Sequence, residues 1–235
     1  MDQVFSRVHE KYDLMNDVLS FGVHRLWKDE LIQWMNPVEE SSLIDVAAGT
    51  GDLALKFNKI TNGKSSIFCV EPNEKMLAVG KKKLLNYQNI VWHRYYAEKL
   101  KFEDDTFDYY TISLGIRNVS NIPNALREAL RVLKTGGRFL CLEFSKIDNE
   151  ILNYFYQKYS KIIPLMGKII SKDFGAYEYL TRSIEQFDNQ NQFKKKMQDA
   201  GFKQIETRTL SFGIATIYSG SVSYTHLPLP TTPYV

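Results

Sequence analysis

A chain of 235 residues with 44% hydrophobic and 24% charged residues has the composition of one soluble globular domain with material for a sizeable core. A net charge of +3 is too small to argue for a nucleic-acid partner, and the basic runs Lys81–Lys83 and Lys194–Lys196 each sit in a helical pattern, as solvated faces do. Cys69 and Cys141 fall in apolar strand-like runs and read as small buried hydrophobes in a reducing compartment, the four histidines lack ligand spacing so that no metal is predicted, and the absence of a signal peptide or long apolar span predicts a cytoplasmic protein, at most peripheral to the inner membrane.

The predicted elements begin with a helical front section over residues 1–41. There Val23, Leu26, Trp27, Leu31, Trp34 and Met35 are assigned to one helical stripe, ended by Asn36-Pro37. The apolar run Leu43, Ile44, Val46, Ala47 then stops at Gly49-Thr50-Gly51 and passes into Leu53-Ala-Leu-Lys-Phe57, which reads strand, tight turn, helix. Gly49 and Gly51 allow backbone to approach a ligand that a Cβ would exclude, and the helix start presents free N–H groups. Glu71 closes the next apolar strand, where an acid can take both hydroxyls of a ribose. The glycines alone also satisfy a dinucleotide pattern, but a pyrophosphate at the helix start would meet Asp45 and Asp52. Those carboxylates suit an ammonium and a sulfonium, which favours S-adenosylmethionine over NAD.

Beyond this unit, strands are predicted near 42–47, 65–70, 90–96, 107–113 and 138–145, and helices near 51–60, 74–86 and 121–134, with Thr135-Gly136-Gly137 as a helix C-cap. The alternation predicts an α/β fold of Rossmann type, a mostly parallel sheet with helices on both faces and the ligand at the strand carboxyl ends. Residues 148–187 read as a helical lid insertion. A last helix (190–200) and strands near 203–210 and 212–219 complete a single domain over 1–220. Ser221 to Val235 has no charged residue and three prolines and is expected to lie outside the fold.

Four segments carry a family resemblance: Lys11-Tyr-Asp-Leu-Met-Asn-Asp-Val-Leu-Ser-Phe-Gly-Val-His-Arg-Leu-Trp-Lys28, Asp45 to Asp52, Thr111-Ile-Ser-Leu-Gly-Ile-Arg-Asn-Val119, and Ala125 to Gly137. In these the chain resembles the ubiquinone/menaquinone biosynthesis C-methyltransferases, which methylate a ring carbon of a polyprenylated benzoquinol or naphthoquinol with S-adenosylmethionine. The resemblance implies a Rossmann-like methyltransferase fold, with cofactor contacts at Thr50, Glu71, Tyr96, Ala97 and Ser113 beside the glycine loop. Tyr96 stands where the family has a small polar residue or an acid, and a stacked phenol is the substitute expected there. The implied partners are the quinol, other quinone-biosynthesis proteins and a membrane surface.

A ring carbon becomes nucleophilic only when an adjacent phenol is deprotonated, so the protein must position, exclude water and manage one proton. Arg117, after the fourth strand, is the first candidate to favour the phenolate, and His24 and Asp13 follow as candidate bases. Tyr12, Asn16, Trp27 and Asn118 are assigned to the ring pocket. An O- or N-methyltransferase on another small molecule, and a non-catalytic cofactor-binding scaffold, remain as alternatives.

Overall fold

The computed structural model describes residues 22–145, 179 and 182–223. Its first helix, α1 (His24–Met35), stops ahead of Pro37, which disfavours a helical residue shortly before it. Asn36 turns left-handed at φ 48°, and its N–H closes on the carbonyls of Ile32 and Gln33. The face that α1 buries is His24, Trp27, Lys28, Leu31, Ile32 and Met35, linked by spacings of three and four. Leu26, expected on this stripe, is 65% exposed. Adjacent helical residues lie about 100° apart, so the face that buries Trp27 and Leu31 turns Leu26 outward.

From there strand and helix alternate: β1 (Ser42–Val46), α2 (Asp52–Ile60), β2 (Ser66–Val70), α3 (Glu74–Lys83), β3 (Ile90–His93), β4 (Phe107–Ser113), α4 (Ile122–Val132), β5 (Leu133–Phe144), α5 (Gln190–Ala200), β6 (Lys203–Leu210) and β7 (Ala215–Ser221). They form one seven-stranded sheet in the order β3-β2-β1-β4-β5-β7-β6, parallel from β3 to β5, with β7 antiparallel to both of its neighbours. Alternate strand residues face opposite sides. Leu43, Ile67, Leu140 and Leu142 pack with Trp27 and Leu31 of α1 and Phe57 of α2. Ile44, Val70, Phe139 and Cys141 pack with Leu126 of α4 and Phe193 of α5. The chain leaves β1 towards β2 and returns on its other side at β4, so a crevice opens at the carboxyl ends of these strands.

The starts of α3, α4 and α5 are set by asparagines. The Asn73 side chain accepts from the N–H groups of Lys75 and Met76, and Asn121 accepts from that of Asn124. Asn189 and Gln192 form a reciprocal capping box before α5, which ends at the left-handed Gly201. Cys69 and Cys141 are buried and free.

Four expectations change. The helix expected to 86 ends at Lys83, and the strand expected to 96 ends at His93, with Tyr96 making only an isolated bridge to Lys99. Thr135-Gly136-Gly137 does not cap α4, which ends at Val132, but lies inside β5. The partner that decides this is Val222: the Gly136 N–H donates to its carbonyl (2.8 Å), and its N–H donates to Gly137 (3.1 Å). The fold therefore runs past Gly220, because Ser221 closes β7 and Val222 joins the ladder and packs on the core. Most of the expected lid, residues 148–178, and the end of the chain, 224–235, lie outside the described residues, while Ile184 and Phe187 are buried against the sheet.

Ending the chain after Ser223 is expected to leave the melting temperature unchanged, since it keeps both Val222 backbone bonds and every residue of β7. Ending it after Gly220 removes both Val222 backbone bonds, at about 0.5–1.5 kcal/mol each, and should lower the melting temperature by several degrees in a thermal scan.

Candidate cofactor and active site

The loop after β1 is left-handed at Ala47 (φ 53°), Gly49 (φ 59°) and Gly51 (φ 81°). Any other residue at Gly51 would be strained, because φ is 81° and a Cβ there would lie 2.6 Å from Leu84 Cδ1 and 3.0 Å from the Trp92 ring. After β4, Leu114 is also left-handed (φ 55°), so two non-glycine residues hold costly backbone on the crevice edge. Glu71, just after β2 and 7% exposed, fastens the loop after β1 to its own loop ahead of α3. Its Oε2 accepts the Gly49 N–H (2.9 Å) and its Oε1 accepts the Asn73 N–H (2.9 Å).

Glu71 faces a chamber of about 340 Å³ whose walls include Gly49, Met76, Tyr96, Ala97 and Asn118. Ala47 and Gly49 separate it from a narrow slot of about 20 Å³ lined by Lys28, Asp45, Thr50, Asp52 and Ser113. Asp45 is 1% exposed, and its Oδ1 accepts the Thr111 hydroxyl at 2.7 Å. Its Oδ2 makes no full hydrogen bond among the described residues, and neither does the buried Ser113 Oγ. Burial pushes the Asp45 carboxyl up to about 7, against the smaller opposing pulls of the Thr111 hydroxyl, Lys28 and the Ala54 N–H.

Asp52 behaves differently. Burial would raise its pKa, but Lys28, 3.2 Å from Oδ2, and Lys83, on Oδ1, outweigh that and hold it at about 2. The repulsion expected between Asp52 and an anionic ligand is thus offset by two lysines, and the choice of ligand rests on Asp45 and Glu71. These two acids fit S-adenosylmethionine: Glu71 stands where a ribose can be held, and the incompletely bonded Asp45 Oδ2 and Ser113 Oγ suit an ammonium.

Thr50 lines the slot, and Tyr96 reaches the chamber with 57% of its surface exposed, free to stack. The Asn118 Oδ1 accepts the Tyr179 hydroxyl (3.0 Å) on the chamber wall. Arg117 points to a third cavity of about 350 Å³, bounded also by Tyr179, Arg182 and Ser183. Its guanidinium, 2% exposed, donates from Nη1 to Glu143 Oε1 (2.5 Å) and to the Leu114 carbonyl (2.7 Å), and from Nε to Ser183 Oγ (3.3 Å). His24 is fully buried on α1 and is not among the residues lining these three cavities. Trp27 packs edge-on to Phe144 and donates its indole N–H to Ser211 Oγ (2.8 Å), as a core residue does. Tyr12, Asp13 and Asn16 lie outside the described residues. Sequence reasoning missed Lys28, Lys83, Thr111 and Glu143. Lys83 was taken into a solvated basic run, and only the register that sets Asp45 beside Thr111 could have signalled that threonine.

Solved structures share this architecture. A SAM-dependent methyltransferase from Aquifex aeolicus superposes with a TM-score of 0.62 at 15% identity, over 83% of this chain and 89% of that one. Phosphoethanolamine N-methyltransferase 2 from Haemonchus contortus, in complex with S-adenosyl-L-methionine, gives 0.65 at 13% identity, over 84% and 52%. The fold is that of the Rossmann-like S-adenosylmethionine-dependent methyltransferases. The chain belongs to the ubiE/COQ5 methyltransferase family, whose model matches residues 1–222. It is 47% identical to a 2-methoxy-6-polyprenyl-1,4-benzoquinol methylase, mitochondrial, of Dictyostelium discoideum, over 92% of this chain and 79% of that protein. It is also 47% identical to the ubiquinone/menaquinone biosynthesis C-methyltransferase UbiE of Rickettsia bellii, over 93% and 91%. To the human 2-methoxy-6-polyprenyl-1,4-benzoquinol methylase it is 42% identical, over 93% and 78%.

Two predictions arise from the acids. Asp45 ionises near 7 when folded and near 3.8 when unfolded, so between these pH values the folded state holds the extra proton. Its contribution to stability is complete below about 3.8 and is lost as pH rises through about 7, on the order of 4 kcal/mol in all. Denaturant unfolding of the cofactor-free protein should show this fall, and Asp45→Asn should remove it. Glu71→Ala should weaken S-adenosylmethionine by about 1–3 kcal/mol and Gly49→Val should abolish binding, and wild-type titration calorimetry in both would overturn the site.

Proposed function

We propose that this protein transfers the methyl group of S-adenosylmethionine to a ring carbon of a polyprenylated benzoquinol or naphthoquinol, in ubiquinone or menaquinone biosynthesis. The observation that carries the reading is that a cleft suited to this cofactor lies in a chain matched over 92–93% of its length by relatives named for quinol or quinone-pathway methylation. The cofactor, when bound, supplies an electrophilic methyl group. Asp45 and Ser113 hold its ammonium end, and Glu71 its ribose. The chamber and slot share a wall of loop backbone, which keeps both parts of the cofactor in register.

The acceptor's hydroxyl must lose its proton in a site closed to water, where a fixed cation is worth more than in solution. We assign that influence to Arg117, which keeps its charge when buried. What supports the assignment is the cavity beside it, which neighbours the cofactor chamber across Asn118 and Tyr179. Glu143 positions the guanidinium. His24 is the weaker candidate, since it opens onto neither cavity. A polyprenyl tail resides in a bilayer, so we place the meeting of enzyme and acceptor at the membrane surface, beside other enzymes of quinone biosynthesis.

The test is turnover of purified protein with a short-chain quinol and isotopically labelled S-adenosylmethionine. The product should carry the label on a ring carbon, and label on oxygen, or no turnover, would overturn the reading. Arg117→Ala should lower kcat about 10²–10⁴-fold with cofactor affinity near wild type, and should cost about 3–5 kcal/mol of stability by leaving Glu143 buried without its partner. Affinity falling in parallel with rate would make Arg117 structural only.

A further inference from the structure

The 3-10 turn Ser211–Gly213, between β6 and β7, carries an apolar side chain that neither the core nor the cofactor cleft uses. Phe212 is 85% exposed, more than any other large apolar residue among those described. Its backbone is costly as well: Ser211 (φ 47°) and Phe212 (φ 58°) are both left-handed, where a bulky side chain is rarely held. A turn that only had to reverse the chain would favour glycine or asparagine there. The turn is nevertheless tied down. Ser211 Oγ accepts the Trp27 indole N–H (2.8 Å), the Gly213 carbonyl accepts the Ser145 hydroxyl (2.8 Å), and the Ile214 carbonyl accepts the Ser145 N–H (3.0 Å).

Its place in the fold points to what it meets. Ala215, at the start of β7, pairs with Phe144 at the end of β5, so the turn stands on the sheet edge where the cofactor crevice opens. Trp27, bonded to the turn, is followed in α1 by Lys28 on the wall of the cofactor slot and preceded by Leu26, itself 65% exposed. The hydrogen-bonded pair Trp27–Ser211 is thus flanked in sequence by two exposed apolar residues. The two acids of α1, Asp29 and Glu30, are paired with Lys56 and Arg208 from other elements, and Arg25, beside Leu26, adds an exposed cation. An anionic headgroup therefore meets no uncompensated acid of this helix. We infer that Phe212, with Leu26, is the tip that enters a lipid bilayer, so that the crevice opens at the surface where a polyprenylated acceptor lies. The inference rests on the acceptor proposed above and adds the face that approaches the bilayer. A tip already held at three points has little freedom left to lose on insertion, and so small an apolar patch gives weak, reversible binding.

The test is co-sedimentation of the full chain with vesicles of phosphatidylcholine and phosphatidylglycerol that contain no quinol. Wild-type protein should sediment with them. Phe212→Gly should lower the vesicle partition coefficient about ten- to a hundredfold, the effect of withdrawing one large apolar side chain from hydrocarbon. Its melting temperature should hold or rise, because glycine accepts left-handed backbone, and Phe212→Trp should keep the binding. Phe212→Gly should turn over a short-chain quinol in solution as wild type does and lag on a long-chain quinol in vesicles. A wild-type protein left in the supernatant, or Phe212→Gly that sediments like wild type, overturns the inference. An equal loss of turnover on both acceptors also overturns it, by placing Phe212 in the acceptor site. Failure of wild-type protein on the short-chain quinol would sink the acceptor reading instead, and the vesicle measurement is made without any quinol.

Discussion

Burying a carboxylate at the carboxyl end of β1 is the constraint on which the site depends. Register sets Asp45 between Cys69 of β2 and Thr111 of β4, where at 1% exposure bulk solvent does little for a charge. The neighbouring strand answers with a single hydroxyl, which satisfies one oxygen and leaves the other incomplete. A buried charge so poorly served favours its neutral form, and the cofactor-free protein near neutral pH is divided between the two forms. A cationic ligand reverses that balance. In the reading we propose, the free energy withheld in folding is returned in binding, and the group that makes the empty protein less stable makes the loaded site selective.

The surrounding charges arrive from separate elements and keep that arrangement from collapsing. Asp52, in the first turn of α2, suits the helix start and would by itself add a second negative charge beside Asp45. Lys28 from α1 and Lys83 from the last turn of α3 neutralise it from two sides. Glu71 meanwhile spends its oxygens on the backbone of both loops, so the acid that faces the chamber also sets the shape of the loop that borders it. Removing any of these groups changes geometry and charge together.

What was legible in the sequence was local. Gly49-Thr50-Gly51 after an apolar run, and Glu71 at the end of the next, announce a turn and an acid because strand, turn and helix follow one another within thirty residues of chain. The partners that settle the electrostatics are not local: Lys28 and Asp52 are 24 residues apart, Lys83 and Asp52 31, and Arg117 and Glu143 26. No spacing rule reaches across such gaps. The same blindness moved Thr135-Gly136-Gly137 from strand to helix cap, since the residue that claims their backbone, Val222, lies far along the chain in a segment set aside for its prolines. Leu26 failed for a different reason. A stripe drawn through adjacent apolar residues cannot tell which of two helical faces meets the sheet until the sheet's own face is known.

The short 3-10 turn Ile116–Asn118 places two consecutive side chains on the walls of different cavities, Asn118 on the cofactor chamber and Arg117 on its neighbour. Because Arg117 is paired with Glu143, the two together carry no net charge, and a distant acceptor would feel little of either. Any effect on a quinol hydroxyl must therefore come from direction: an acceptor nearer the guanidinium than the carboxylate meets the positive end of a fixed dipole. The Leu114 carbonyl, Ser183 and the Phe144 ring, whose centroid is 5.4 Å from the guanidinium carbon, fix that direction. A lysine could replace the charge but not the planar fork that reaches Glu143, Leu114 and Ser183 at once. The role we propose for Arg117 requires an arginine held at several points, and Glu143 is as much a part of it as the arginine.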